Sequence, residues 1–448
     1  MSSDKSLSSL LEDVLRKSNN HNDPSGSDDG LVGLCLRESI TYRLPESAKT
    51  DRLIGFRMMK RCLAKLSVPG EIIGQANASL IIQGNSNNHE RIQKYIAFQS
   101  GERSPCFFSK EAAPFKGQVL SQTDLKALKR AYLKIAIQCW FKKDRQHRSI
   151  WPWAALEAWS LLKFVRENSI SKVFDFSPYL IDANWYTQLL MEAGVQVWRV
   201  PSSGPLKAHN KFMIGDAATF STPYHFMEKE KFKDTIRPKH IFKWVPEQSM
   251  NYMDLYLKTP RTAQKNTIGF YSHASWVRKA EGHSDNGLNI HQGETILLSH
   301  LSKILAEKPE LNLKIFLHPR ERKEEIFEKT KAYYREQFPS TKFEFSNPNT
   351  PSSNAFDEAD IGIAVYSTIL YERLFCGFKS LIGNYGMTDF PDTDSSLSNI
   401  CFQSYEALKD KIERVSNMSD RQYFSEMELE GYRFNTYPIV QEKYPESL

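Results

Sequence analysis

"LKIFLHPRERKEEIF", residues 313–327, decides how the second half of the chain folds. An apolar run ends at His318-Pro319, and a charged, helix-forming segment follows at once. A short apolar run bounded by a breaker reads as a buried strand. Proline is tolerated in the first turn of the helix that follows. The histidine at the junction has two readings. It is part of a plain strand-to-helix turn, or it is placed to donate to a phosphate at the carboxyl end of the strand.

The same alternation extends on both sides. Upstream are strand "TIGFYSH" (267–273), a charged loop to about Asn289 and helix "HQGETILLSHLSKILAEKPE" (291–310). Downstream come helix "ERKEEIFEKTKAYYREQF", strand "KFEFS", helix "SSNAFDEA", strand "DIGIAVY" (360–366), helix "STILYERLFCG" (367–377) and strand "KSLIGNY". Five strands separated by helices imply a parallel sheet with right-handed crossovers.

The first half repeats the pattern less densely. "ASLIIQG" (78–84), "SPCFFSK" (104–110), "SKVFDFSPY", "VQVWRVPSS", "HNKFMIGDAATFST" and "KHIFKWVPEQ" read as strands. Helices are expected over 121–143, over 151–168, in "DANWYTQLLMEAG" up to Gly194, and briefly over 224–233. The polar stretch "KTPRTAQKN" (258–266) is the candidate boundary. The expected fold class is therefore α/β, with two Rossmann-like domains facing a cleft. Residues 1–30 form a short amphipathic helix on a polar tether, 31–260 the first domain and 261–448 the second. In such sheets ligands sit outside the carboxyl ends of the strands.

Composition narrows the class. The chain has 448 residues, enough for two or three domains, and 40% are hydrophobic, enough for sizeable cores. A net charge of +6 favours anionic ligands without implying nucleic acid as a partner. Six scattered cysteines lack any Cys-x-x-Cys pair, which argues against a disulfide framework or a structural zinc and fits a reducing cytoplasm. No apolar run approaches the ~20 residues that cross a bilayer. "CWFKKDRQHRSIWPWAALEAW" (139–159) interleaves aromatic and basic residues, as a core segment or as a peripheral contact with a membrane.

Two strand ends carry phosphate-compatible groups. Beside His318, Ser367-Thr368 open a helix after "DIGIAVY". Those hydroxyls are helix caps or, with the free amides behind them, a phosphate cradle. Glu372 lies five residues beyond Ser367, able to reach a ribose hydroxyl or simply solvated. "HPRE" (318–321) and "YSTILYE" (366–372) at this spacing resemble the His-Pro and Ser-Ser/Thr motifs of bacterial GT-B glycosyltransferases that use CMP-activated sugars. These are the β-Kdo transferases, where Kdo is 3-deoxy-manno-octulosonic acid, and the bacterial sialyltransferases. The resemblance covers residues 266–385 and, in the first half, the architecture alone.

It implies a cytoplasmic enzyme that moves an acidic sugar from CMP onto a capsule polysaccharide or lipopolysaccharide acceptor. His318, Pro319, Arg320, Ser367, Thr368 and Glu372 would hold the donor nucleotide, with no further cofactor. The acidic Asp/Glu-Asp/Glu-Gly motif of the sialyltransferases has one counterpart, Asp28-Asp29-Gly30, and it lies in the tether. The Kdo reading instead needs a carboxylate at the anomeric carbon. Asp285, in "RKAEGHSDNG", is the candidate, the alternative being a solvated turn residue. Asp182 and His209 are the first-half candidates for a general base, in loops that also hold Asp175, Lys207 and Asn210. The sugar's carboxylate calls for cations, and Arg278, Lys279, Arg320 and Arg322 flank the strand ends. Asp392-Thr393-Asp394 has the form of a metal-binding pair but reads as a solvated loop, and no metal is expected. The other readings are a glycerophosphate transferase using a CDP-activated donor and a non-catalytic nucleotide- or glycan-binding module.

Overall fold

The computed structural model describes residues 79–83, 89–100, 106–109, 165, 169–176, 187, 190–200, 213–221, 225–226, 229–230, 232–233, 235–256, 263–282, 290–365, 367–385 and 396–434. Two six-stranded sheets organise them. The first holds β1 (Ser79–Gln83), β2 (Cys106–Ser109), β3 (Lys172–Asp175), β4 (Gln196–Arg199), β5 (Met213–Phe220) and β6 (Ile236–Lys243), in the order β2-β1-β3-β4-β5-β6. The second holds β7 (Thr267–Tyr271), β8 (Asn312–Phe316), β9 (Phe343–Phe345), β10 (Ile361–Ala364), β11 (Lys379–Gly383) and β12 (Cys401–Phe402). Its order is β12-β11-β10-β7-β8-β9.

All strand pairs in both sheets are parallel. Counted from β7, the second sheet has the doubly wound order 3-2-1-4-5-6. The fold is α/β with two Rossmann-like domains, a GT-B-like architecture. The strand order of the second sheet reverses between β7 and β10. That switch point is where ligands of such sheets bind, outside the carboxyl ends of the strands.

The sequence shows why the second sheet forms. β7, β10 and β11 are buried along their whole length, as expected for strands covered by helices on both faces. The helices are α3 (Ser275–Ala280), α4 (Ile290–Glu307), α5 (Glu324–Gln337), α6 (Thr368–Phe375), α7 (Tyr405–Ser416) and α8 (Asp420–Glu426); α1 (His89–Ser100) and α2 (Met253–Tyr256) precede them. α4 turns Ile290, Leu297, Leu298, Leu301, Ile304 and Leu305 inward. A Cβ on Gly293 would lie 3.0 Å from Val365, so glycine lets this helix close on the end of β10.

Arg373 of α6 is wholly buried beneath β10. Its guanidinium donates to the Tyr271 hydroxyl (2.8 Å) and to the carbonyls of Phe356 (2.8 Å), Ala359 (3.1 Å) and Lys379 (3.2 Å). A Cβ at Gly362 would sit 2.4 Å from its Nε, so only glycine admits it. The planar fork ties β7, β11 and the segment leading into β10 together.

The two halves share one apolar core. Trp244, just after β6, packs on Trp198 and Tyr95. Twelve residues on, Tyr256 stacks on Phe356 at 5.3 Å, and its hydroxyl accepts the Phe356 amide at 2.7 Å. The first sheet ends at Lys243 and the second opens at Thr267. Among the described residues no helix is long and apolar enough to cross a membrane.

Three expectations change. Ser352–Ala359 is two 3-10 turns, not a helix, because Ala355 leaves helical geometry and the Phe356 amide turns to Tyr256. The loop expected after β7 contains α3. A sixth strand, β12, extends the second sheet. The helices expected over 121–143 and in most of 151–168 lie outside the described residues, as do residues 1–30.

Candidate nucleotide site at the second sheet edge

His318 follows β8 and caps a 3-10 turn, Pro319–Arg322, with Pro319 as its first residue. The imidazole Nδ1 accepts the Arg320 amide at 3.1 Å, and the Glu321 carboxylate accepts the His318 amide at 3.0 Å. This is a capping box with histidine in place of the usual serine or threonine. It fixes the tautomer: an Nδ1 that accepts from a backbone amide carries no proton, so the neutral ring holds its hydrogen on Nε2. Burial first, then the charges of Arg278, His273, Arg320 and Arg322, lower the His318 pKa to about 4. At neutral pH the ring is thus an uncharged donor. Among the described residues its Nε2 meets no protein partner.

Glu321 is completely buried beneath this turn. It also accepts from Trp276 Nε1 (2.7 Å) and the Tyr334 hydroxyl (3.0 Å). Burial, with the nearby Glu294 charge, pushes its pKa up to about 7.

β7, the strand between β8 and β10, ends differently. Ala274 takes a left-handed conformation (φ 54°) and the chain turns into α3. The Glu294 carboxylate, reaching over from α4, accepts the amides of His273 (2.8 Å) and Ser275 (3.2 Å) and the Ser275 hydroxyl. The Ala274 amide goes to the Ser272 hydroxyl at 3.0 Å. An internal carboxylate therefore takes the amides that could otherwise receive an anion at this strand end.

β10 ends with its helix open. Ser367 is the N-cap of α6, in extended conformation (φ −157°), and its side chain makes no capping bond. No acid lies in the first turn of α6. The half-buried Ser367 and Thr368 thus sit at a positive helix end, beside the switch point, with hydroxyls not committed to a cap. Tyr366 lies outside the described residues.

His318 and Ser367 are two strands apart, on either side of β7, so about 10 Å separates the strands that bear them. His273, just after β7, lies beside His318, the two rings stacked at 6.4 Å. Glu372 is not solvated. It is buried one turn into α6, and burial raises its pKa to about 7, against Arg91 and the Tyr252 hydroxyl, which lower it. Glu247 adds to the rise and forms an ion pair with Arg91 at 2.5 Å. Glu372 therefore faces elements that follow or cover the first sheet.

The four flanking cations separate. Arg322 is structural: it donates to the carbonyls of Leu317 (2.9 Å) and Thr350 (2.8 Å) and to the Ser352 hydroxyl (2.6 Å). Arg320 pairs with Glu281 at 2.5 Å. Lys279 is exposed. Arg278 is half-buried and donates Nε to the His273 carbonyl at 3.2 Å.

In the first half, Asp175 is fully buried in an ion pair with Arg199 (2.8 Å), whose Nη1 also donates to Thr187 (2.8 Å). It braces β3 and β4 and cannot meet an acceptor. Asp182, His209, Lys207, Asn210, Asp285, Asp28-Asp29-Gly30 and Asp392-Thr393-Asp394 lie outside the described residues. Among the described residues no group of three or more histidines, cysteines and acids could hold a metal ion.

Three contributors were missed in the sequence: His273, Glu294 and Glu321. Glu321 had a signal, its capping-box spacing after His318. Glu294 had another, as a lone acid on the apolar stripe of α4 between Ile290 and Leu298.

No family model matches the chain, and comparison with curated proteins finds no match either. Among solved structures it is similar to an O-GlcNAc transferase mutant from Thermobaculum terrenum, with a TM-score of 0.42 and 11% identity over 98% of this chain and 78% of that one. It is also similar to a UDP-GlcNAc 2-epimerase from Neisseria meningitidis bound to UDP-GlcNAc (TM-score 0.46, 10% identity, 80% and 96% covered). MurG from Acinetobacter baumannii aligns with a TM-score of 0.42 and 12% identity over 82% of this chain and 96% of that one. At these scores the likeness carries no argument about activity, and the GT-B-like assignment rests on the chain's own two parallel sheets.

Proposed function

We propose that the protein is a glycosyltransferase that binds a CMP-activated acidic sugar, Kdo or a sialic-acid-like sugar, at the carboxyl edge of its second sheet. One observation carries the proposal. A neutral histidine with an unengaged Nε2–H and an uncapped helix N-terminus flank the switch point of the same doubly wound sheet. Both groups donate, and neither needs a metal to hold one phosphate.

In this reading residues 261–448 bind the donor and 31–260 the acceptor, a capsule polysaccharide or lipopolysaccharide. Asp285 is the carboxylate at the anomeric carbon. It attacks that carbon as the bond to CMP breaks and CMP leaves; the acceptor hydroxyl then displaces it, giving its proton to a base. Asp182 or His209 supplies that base. The test is a donor screen with CMP-N-acetylneuraminate, CMP-Kdo generated in situ, CDP-glycerol and UDP-GlcNAc, following nucleotide release. Release of CMP from an acidic donor supports the proposal, and release from UDP-GlcNAc alone overturns it. In the same assay Asp285→Asn is expected to lower turnover about a hundredfold or more; turnover near the parent rate makes Asp182 or another acid of the first half, acting as an inverting base, the leading candidate.

A further inference from the structure

We infer that Arg278 is the residue that reads a second anionic group on the ligand of this site, the carboxylate of an acidic sugar. The inference rests on the nucleotide-binding reading above and names what lies beside the phosphate.

Every other arginine described at this end of the second domain has its guanidinium committed. Arg373 is buried among carbonyls, Arg322 clamps residues 348–352 to the end of β8, and Arg320 pairs with Glu281. Arg278 differs. Its Nε is anchored on the His273 carbonyl at 3.2 Å, which holds the planar group on the edge of β7. Among the described residues its two terminal nitrogens donate to no protein group. The side chain is half-buried, so a bidentate partner would meet it out of bulk water, where charge-assisted bonds are strongest.

The position also fits. Arg278 belongs to α3, which starts where β7 ends, between the strand ends of His318 and Ser367. Arg278 Nε holds the carbonyl of His273, whose ring stacks on that of His318, and its charge leads those that depress proton binding by His318. Among the described residues the acids nearby are occupied. Glu294 is bound by the amides of β7's end, Glu321 by three donors, and Glu281 by Arg320. An anchored fork with two open donors matches a carboxylate, whereas a lone phosphate is already provided for by His318 and α6.

The experiment measures, by isothermal titration of the full chain, the affinities of CMP, CMP-N-acetylneuraminate and CMP-Kdo generated in situ. Parent, Arg278→Gln and Arg278→Lys are compared, with thermal melting as a check on folding. The parent is expected to bind an acidic-sugar donor more tightly than CMP. Arg278→Gln should lose about thirtyfold on that donor and no more than about threefold on CMP. Arg278→Lys, which keeps the charge but not the fork, should fall between. Equal losses on CMP and on the donor overturn the inference, as does an unchanged donor affinity in Arg278→Gln. In both cases the nucleotide-binding reading stands. A parent that binds no CMP overturns both.

Discussion

The ends of β8 and β10 look alike in the sequence and differ in the structure. Each delivers a polar residue to the carboxyl edge of one sheet, and each opens a helical turn. The end of β8 is finished by the protein itself: the His318 ring accepts the Arg320 amide, the Glu321 carboxylate accepts the His318 amide, and Trp276 and Tyr334 complete the carboxylate. The end of β10 is left open, its Ser367 hydroxyl serving no cap. β7, between them, is closed by Glu294. A closed end holds a donor rigidly for a ligand, and an open end offers donors of its own. In the proposed site the two together would make an asymmetric cradle.

The largest expected effect is at the closed end. Glu321→Ala strands one buried and two part-buried donors, and a stability loss of about 3 kcal/mol or more is expected by denaturant unfolding. A loss under about 1 kcal/mol would mean that β8 does not depend on its capping box. The same residue carries a pH signature. Its folded pKa of about 7 lies above the ordinary 4.5, so the folded state binds the extra proton. This group's stabilisation is fully present below about 4.5 and is lost as pH rises through 7. Glu372 acts in the same direction. His318, lowered from 6.5 to about 4, acts oppositely, losing its contribution as pH falls through that window. Between pH 7 and 8, where the opposing contribution of His318 has largely faded, the melting temperature should fall as pH rises, and less steeply in Glu321→Gln. A slope unchanged in that variant would remove Glu321 as its source.

The open end should give the smallest effect on stability and a clear one on binding. Ser367→Ala removes no capping bond, so stability should stay within about 0.5 kcal/mol of the parent, less than the ~1 kcal/mol usual for a cap. CMP affinity should drop about tenfold or more, the worth of one hydrogen bond to a charged group. A stability loss above about 1 kcal/mol would show that Ser367 caps α6 after all and that the two ends are equivalent.

The sheets were legible because parallel strands buried on both faces are written as continuous apolar runs, such as "KIFL" and "IGIAV". The strand-end positions of His318 and Ser367 followed from the same runs. What stayed hidden depends on contacts distant in sequence. α3 starts on amides that Glu294 receives from 19 residues away, which no local pattern records. Phe356 breaks an expected helix because its amide is taken by Tyr256, 100 residues earlier. β12 is two residues long, too short for any periodicity. Of four equivalent-looking cations, only the hydrogen-bond partners separate Arg322, a structural clamp, from Arg278.

The most direct test is whether one phosphate meets His318 at this edge. Isothermal titration of CMP and of cytidine to the parent and to His318→Ala isolates the phosphate's share. The parent should bind CMP at least about tenfold more tightly than cytidine; His318→Ala should narrow that ratio to about threefold or less and leave cytidine affinity unchanged. The same CMP-to-cytidine ratio in both proteins would contradict the site.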